Sequence, residues 1–328
     1  MSFSSEVKGE LARITVTKKE NMLAEISGFL RVAGSVRLQG RGRVIAAASS
    51  ENPAIVRHYK SMIKDYFGSA SELELDESRA PGSGRHYNKR YRYSLIIDPE
   101  DKSEQILRET GMLLIREGDD YLSGGIYWPV VKSKGCKKAY LRGIFLGCGT
   151  ISDPRKSYHL EFLIKREELA LDLQKLIDSF TDMKANISKR KGDYAVYMKR
   201  ASYISDMLGI IGADDAVLSF ENIRLERGIR GQAVRIANCD NANVDRTIGA
   251  SERQIHDIRI IDRAYGIETL PEPLHEVAKA RIEHPDASLT EIGESLNKPI
   301  RKAGVTKRFS KIHEMALKIE EKGLGGRD

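Results

Sequence analysis

Two stretches of this chain repeat one another, and that duplication limits the fold more than any other feature of the sequence. Ile26-Ser27-Gly28-Phe29-Leu30-Arg31-Val32-Ala33-Gly34 lies over Leu141-Arg142-Gly143-Ile144-Phe145-Leu146-Gly147-Cys148-Gly149, with 115 residues separating each matched pair. Each copy reads as a helix with a small-residue face, ended by a glycine where a helix stops and the chain turns sharply. The segments downstream of the two copies are also parallel. The first copy precedes a short run (Ser35–Leu38), a strand-like run (Arg43–Ser49), an amphipathic helix (Pro53–Phe67), two more runs (Glu72–Asp76, Lys89–Ile97) and a helix (Asp101–Thr110). The second precedes a strand (Tyr158–Ile164), a helix (Arg166–Phe180), two strands (Lys184–Lys189, Tyr194–Met198) and a helix (Tyr203–Ile211). Each half is thus expected to be an α-β-β-α-β-β-α unit. Two such units meeting through their first helices make one pseudo-symmetric α+β domain.

Beyond the duplication, an amphipathic segment runs from Asn243 to Tyr265, with Ile248, Ile255, Ile258 and Ile261 near helical spacing and Gly266 placed to cap it. Leu270-Pro271-Glu272-Pro273 reads as a hinge. The expected division is residues 1–125 for the first half with an N-terminal helix, 126–240 for the second, 241–270 for a linker helix and hinge, and 271–328 for an all-α tail. A length of 328 residues suits such a two-domain plan.

The tail reads as three helices. Leu274–Glu283 is ended by His284-Pro285, and Ser288 with Glu291 forms a Ser-x-x-Glu capping box. Leu289, Ile292 and Leu296 mark a short second helix, broken at Asn297-Lys298-Pro299. A third helix opens near Arg301 or Lys302, with Val305, Phe309, Ile312, Ala316 and Ile319 on one face. At about 100° per residue the other face holds Ala303, Thr306, Lys307, Ser310 and Lys311, with Arg308 on the flank. Between Ser295 and His313 stand six Lys or Arg and no acid. Short helix, turn and basic third helix is the helix-turn-helix order, the third helix being the reader of duplex DNA. The alternative is a solvated basic helix closing a three-helix bundle.

Gly28–Gly34 and Gly143–Gly149 resemble decayed copies of the LAGLIDADG helix of homing endonucleases. Asn241-Ala242-Asn243-Val244, Leu270-Pro271, the run Ala287 to Pro299 and Lys302-Ala303-Gly304-Val305 resemble the signature of the WhiA family. The resemblance implies a pseudo-symmetric double LAGLIDADG-like domain followed by an all-α helix-turn-helix domain, and a transcription role linked to cell division and sporulation. Where the family usually has Ser-Lys-Ser-Gly before the reader, this chain has Arg301-Lys302-Ala303-Gly304.

In LAGLIDADG nucleases an aspartate near the end of each motif helix helps hold divalent metals that activate water. The matching positions here are Ala33 and Cys148. Alanine has no donor, and sulfur is the wrong ligand for magnesium. Asp153 is five positions further on, in an Asp-Pro turn. The expectation is no enzyme, no cofactor and no metal. What survives is packing, through Gly143-x-x-x-Gly147 against Gly28 and Ala24.

Lys and Arg exceed Asp and Glu by 54 to 47, a modest excess whose distribution matters more than its sum. Acid-poor basic stretches make Arg85, Lys89, Arg90 and Arg92, then Lys134, Lys137 and Lys138, then Lys189, Arg190 and Lys191 candidate scaffold contacts to DNA. The scaffold otherwise offers a platform for another transcription factor or RNA polymerase. Gly124-Gly125 and Gly40-x-Gly42 lack the strand-to-helix setting of a phosphate loop. Cys136, Cys148 and Cys239 have neither disulfide-framework nor zinc spacing. No apolar run approaches the ~18 residues of a membrane helix, and the first residues lack a signal peptide's apolar core. A cytoplasmic, nucleoid-associated protein is expected, with a residual metal-dependent nuclease and an RNA-binding maturase-like module as rivals.

Overall fold

A computed structural model describes residues 2–39, 43–80 and 88–324. Helix α1 (Phe3–Leu11) comes first, and the first half then runs α2 (Lys19–Ala33), β1 (Gly34–Leu38), β2 (Val44–Ser50), α3 (Pro53–Phe67), β3 (Glu72–Ala80), β4 (Asn88–Ile97) and α4 (Ser103–Glu109). A hairpin of β5 (Leu113–Arg116) and β6 (Asp119–Leu122) separates it from the second half. That half runs α5 (Lys134–Cys148), β7 (Gly149–Ile151), β8 (Leu160–Ile164), α6 (Glu167–Asp178), β9 (Asn186–Arg190), β10 (Asp193–Met198) and α7 (Ala201–Ile211). The remainder is helical: α8 (Asp214–Tyr265), α9 (Glu272–Glu283), α10 (Leu289–Ser295) and α11 (Lys302–Leu324). The expected α-β-β-α-β-β-α order is present twice. The two sheets share one antiparallel strand order, β1-β2-β4-β3 and β7-β8-β10-β9. The β5–β6 hairpin is an addition to the expected plan. Its two-residue turn places Glu117 and Gly118 at φ 56° and 95°, the left-handed pair that matches strand twist.

The chain divides into two compact units at Arg227/Gly228, inside α8. In the first unit, α2 and α5 touch through their backbones. A Cβ on Gly28 would strike the Tyr140 carbonyl oxygen, and one on Gly143 would strike the Glu25 carbonyl and come within 2.8 Å of Phe29 N. Only glycine fits at either position. The glycines ending each helix work differently from the expected left-handed cap. Gly34 and Gly149 have φ of −85° and −69°, angles open to any residue. Glycine is needed there because a side chain would meet Leu30 O or the Phe145 ring.

Across the crossing, Arg142 Nε donates to Glu25 Oε2 at 2.9 Å, and Nη1 donates to Ile211 O at 3.1 Å. The Glu25 side chain is fully buried, with His58 Nε2 lying 3.2 Å from its other oxygen. Phe29 stacks on Tyr59 with centroids 3.7 Å apart. Helix α1 buries Val7 and Leu11 in the same core. Its Glu10 accepts from the Asp215 and Ala216 amides, capping the start of α8.

The second unit has its own core. Ile258 and Ile261 of α8 pack there with Leu270, Leu274, Val277, Ile292, Val305, Phe309, Ile312 and Ala316. The helix expected from Asn243 begins at Asp214, and Leu270 is 5% exposed. Residues 270–273 therefore belong to the tail rather than hinging it. A fragment cut at Glu268 would leave two core isoleucines behind. Arg281, 1% exposed, ties the unit together by donating to Gln254 Oε1, Pro285 O and Ala287 O, and it lies over the Phe309 ring.

The buried pair yields a prediction. Arg142→Ala strands the Glu25 carboxylate and should cost about 3–5 kcal/mol in urea unfolding of the full chain. Glu25→Ala/Arg142→Ala should cost clearly less than the two single changes added together. Strict additivity would mean the pair does not couple the two helices.

Candidate nucleic-acid interface

Helix α10 is fixed at its start by the predicted box: Glu291 N donates to Ser288 Oγ at 3.3 Å and Ser288 N to Glu291 Oε2 at 2.6 Å. Gly293 then lets the turn close onto α10. Ile300 N donates to Gly293 O at 3.0 Å, and a Cβ on Gly293 would strike Ile300 O. The turn thereby sets the angle at which α11 leaves. Val305, Phe309, Ile312 and Ala316 of α11 are buried, while Arg301, Lys302, Ala303, Thr306, Lys307, Ser310 and Lys311 are exposed. The apolar and polar faces are those expected from the spacing. Thr306 and Ser310 donate their hydroxyl protons to Lys302 O and Thr306 O, which leaves oxygen lone pairs facing water.

Arg308 stands apart. It donates to Pro273 O at 3.2 Å and lies 3.9 Å from Glu276 Oε2, so its cation is held against α9. Sequence spacing places it on the flank, but no local signal announces a partner 35 residues away.

In the scaffold, Ala33 and Cys148 are the last residues of α2 and α5. Burial pushes the Cys148 thiol up to about 12, with the Lys8 ammonium and a hydrogen bond from the Leu163 backbone pulling the other way. Asp153 turns the chain, its carboxylate accepting from Arg155 N at 2.9 Å. Among the described residues, no three His, Cys, Asp or Glu side chains converge as metal donors. The residues at the two helix ends do not fit a hard divalent cation.

Two cavities flank these ends, and the duplication relates them. One, of about 390 Å³ beside Gly147, is lined by Ser2, Ser4 and Lys8 from the N-terminal segment with Ser50, Glu51 and Arg92. The other, of about 360 Å³ beside Val32, is lined by Arg31, Ser123, Lys165 and Arg166. Desolvation lowers the Lys8 pKa, opposed by Cys148 and Glu51. Nothing in the sequence pattern singles out Lys8, since α1 carries no part of the repeat.

The remaining scaffold candidates do not converge. Strand alternation turns Val36, Ala46, Ala48, Leu95 and Ile97 toward the helices and Arg37, Ser49, Arg92 and Ser94 away. The same outer face carries the exposed acids Glu72, Glu74 and Asp76 of β3. On the second sheet Arg190 pairs with Glu161 at 2.9 Å, Lys189 lies over the Tyr194 ring, and Lys191 takes a left-handed turn position. Lys134, Lys137 and Lys138 sit together at the start of α5, the end opposite the one from which β7 begins. Arg85 lies outside the described residues, as do the side chains of Lys89 and Arg90.

A duplicated half built on a glycine-crossed helix pair whose motif ends, Ala33 and Cys148, carry no acid, followed by a helix-turn-helix, defines a degenerate LAGLIDADG-like scaffold joined to a DNA-reader type of module. Three family models match: the WhiA N-terminal LAGLIDADG-like domain over residues 19–113, the WhiA LAGLIDADG-like domain over 137–230 and the WhiA C-terminal HTH domain over 233–316. The chain belongs to the WhiA family. It is 41% identical to the probable cell division protein WhiA of Thermoanaerobacter sp. (strain X514), over 98% of this chain and 99% of that one. It is 39% identical to the protein of the same name from Clostridium perfringens (strain 13 / Type A), over 97% and 98%. The crystal structure of full-length DUF199/WhiA from Thermatoga maritima shares the fold, with a TM-score of 0.58 at 24% identity over 97% and 99% of the two chains.

The Cys148 environment is open to a direct check. With its pKa near 12, the thiolate fraction at pH 8 is about three orders of magnitude below that of an ordinary cysteine. Iodoacetamide should therefore leave Cys148 unlabelled in the native protein and label it in urea, as read by peptide mass spectrometry. Cys148 is half-buried, so rapid labelling of the native protein would contradict the raised pKa of its thiol.

Proposed function

We propose that this protein is a transcription regulator that binds duplex DNA sequence-specifically and has no nuclease activity. The observation that carries the reading is the solvent face of α11, which presents cations and hydroxyls without an acid from Arg301 to Lys311, behind a locked α10 and turn. In this reading Thr306, Lys307 and Ser310 reach base edges in the major groove, Ala303 packs near them, and Arg301, Lys302 and Lys311 contact phosphates. Arg308, held by Pro273 O and Glu276, positions α11 against α9 rather than gripping DNA.

The names of the relatives, probable cell division protein WhiA, support a role linked to division, and we place the protein on the nucleoid. Residues 228–328 form the DNA-reading unit, with the last turns of α8 as part of its core. The scaffold serves better as a platform for another transcription factor or RNA polymerase than as a second DNA grip. The acids Glu72, Glu74 and Asp76 on the outer face of the first sheet favour that role, because they would repel a phosphate backbone.

Two outcomes are expected. Lys307→Ala should weaken binding at the specific site by about 1–3 kcal/mol and affect random duplex much less. Arg301→Ala should weaken both, and lower the salt slope by about 0.9 per phosphate contact removed. Circular dichroism of each variant separates loss of contact from unfolding. A folded Lys307→Ala protein with full specific affinity would reduce the basic face to a solvated surface. The full chain should also leave plasmid uncut with magnesium or manganese, since Ala33 and Cys148 supply no carboxylate. Nicking that stops with chelator would overturn that part.

A further inference from the structure

We propose that the cleft at the first turn of α5 binds a phosphorylated small molecule carrying a flat apolar group, of the nucleoside polyphosphate class. The cleft holds about 710 Å³, within the roughly 300–1,000 Å³ usual for ligand sites. Lys132, Lys134, Lys137 and Lys138 line one wall, and among the described residues of the lining Asp206 is the single acid. Ser133 caps Cys136 N, which fixes the start of α5 and its positive dipole end beside the lysines. Ser179, Thr181 and Ser205 line the facing wall from three directions, namely the end of α6, the loop beyond it and α7. Lys137 already folds inward, its Nζ lying 3.0 Å from Ser179 Oγ.

The floor decides the second half of the ligand. Phe180, Met183, Ile210 and Val217 contribute apolar surface beneath the cations. A phosphate chain alone has no use for it, whereas a base or comparable flat group covers it. Geometry also separates this cleft from a duplex path. Among the described residues, none from a strand lines it. From Lys134 to Cys148 the helix spans about 21 Å at ~1.5 Å per residue, so the lysines stand that far along α5 from the end at which β7 begins. The cleft belongs wholly to the first unit, and the inference does not depend on the DNA reading of the tail.

Isothermal titration of the full chain with ATP and with inorganic tripolyphosphate tests this. ATP should bind about tenfold more tightly than tripolyphosphate. Lys134→Glu/Lys138→Glu should weaken ATP by about tenfold or more, while Lys189→Glu/Arg190→Glu leaves it unchanged. Ile210→Ser should remove most of the advantage of ATP over tripolyphosphate. Thermal melts and circular dichroism confirm that each variant is folded. Absence of ATP binding, equal affinity for tripolyphosphate, or indifference to the lysine reversals in a folded protein would overturn the proposal. So would displacement of ATP by duplex lacking the tail's site, which would assign the lysines to a DNA backbone.

Discussion

The first unit depends on the contact of two helix backbones at Gly28 and Gly143. With no side chain between them, α2 and α5 approach until the carbonyl oxygens of Tyr140 and Glu25 occupy the space that a Cβ on Gly28 or Gly143 would need. The arrangement around the crossing is a consequence of that closeness. Glu25 and Arg142 can meet only because the axes are near, and both helices end together where β1 and β7 begin without a loop. The sheets are thus hung directly from the helix pair. A methyl group at either glycine would force the helices apart and shift the origin of a sheet.

Much of this was legible. The duplication fixed the topology, because a repeat with matched glycines leaves one way to pair its helices. Helix α3 was readable to the residue, since Asn52 caps it, Pro53 opens it and Gly68 at φ 67° closes it. The capping box at Ser288 and the two faces of α11 were equally plain. The features that were not legible share a physical cause, long-range partnering. Arg281 reads as a surface cation but is buried by acceptors that the fold alone assembles. Arg308 sits on a readable helix yet is occupied by α9. The upstream part of α8 was hidden because Gly228 and Gly231 interrupt the apolar pattern, and because Leu218, Leu225 and Ile229 are more than 60% exposed rather than packed.

At the motif ends, the carboxylates that a nuclease carries on its two helices are replaced by uncharged side chains. A nuclease gathers carboxylates there to hold cations. This chain has an alanine and a thiol whose pKa is pushed up, and it brings the side chains of Lys8 and Arg92 alongside, with Glu51 as the one acid among the described residues of that lining. Cations fixed on the protein cannot activate water as a metal does. The short α1, held by Val7, Leu11 and Glu10, delivers one of them from outside the repeat.

The Glu25–Arg142 pair also breaks the symmetry that the duplication imposes. Applying the 115-residue offset, Glu25 corresponds to Tyr140 and Arg142 corresponds to Ser27. Two first halves paired through α2 would bury two carboxylates against serines, with no guanidinium to meet them. Two second halves would bury two guanidinium groups against tyrosines. Each self-pairing leaves its buried charges without the opposite charge from across the crossing, and only the mixed pairing brings guanidinium and carboxylate together. The halves have become obligate complements, so exchange of a half between molecules must still join one first half to one second half.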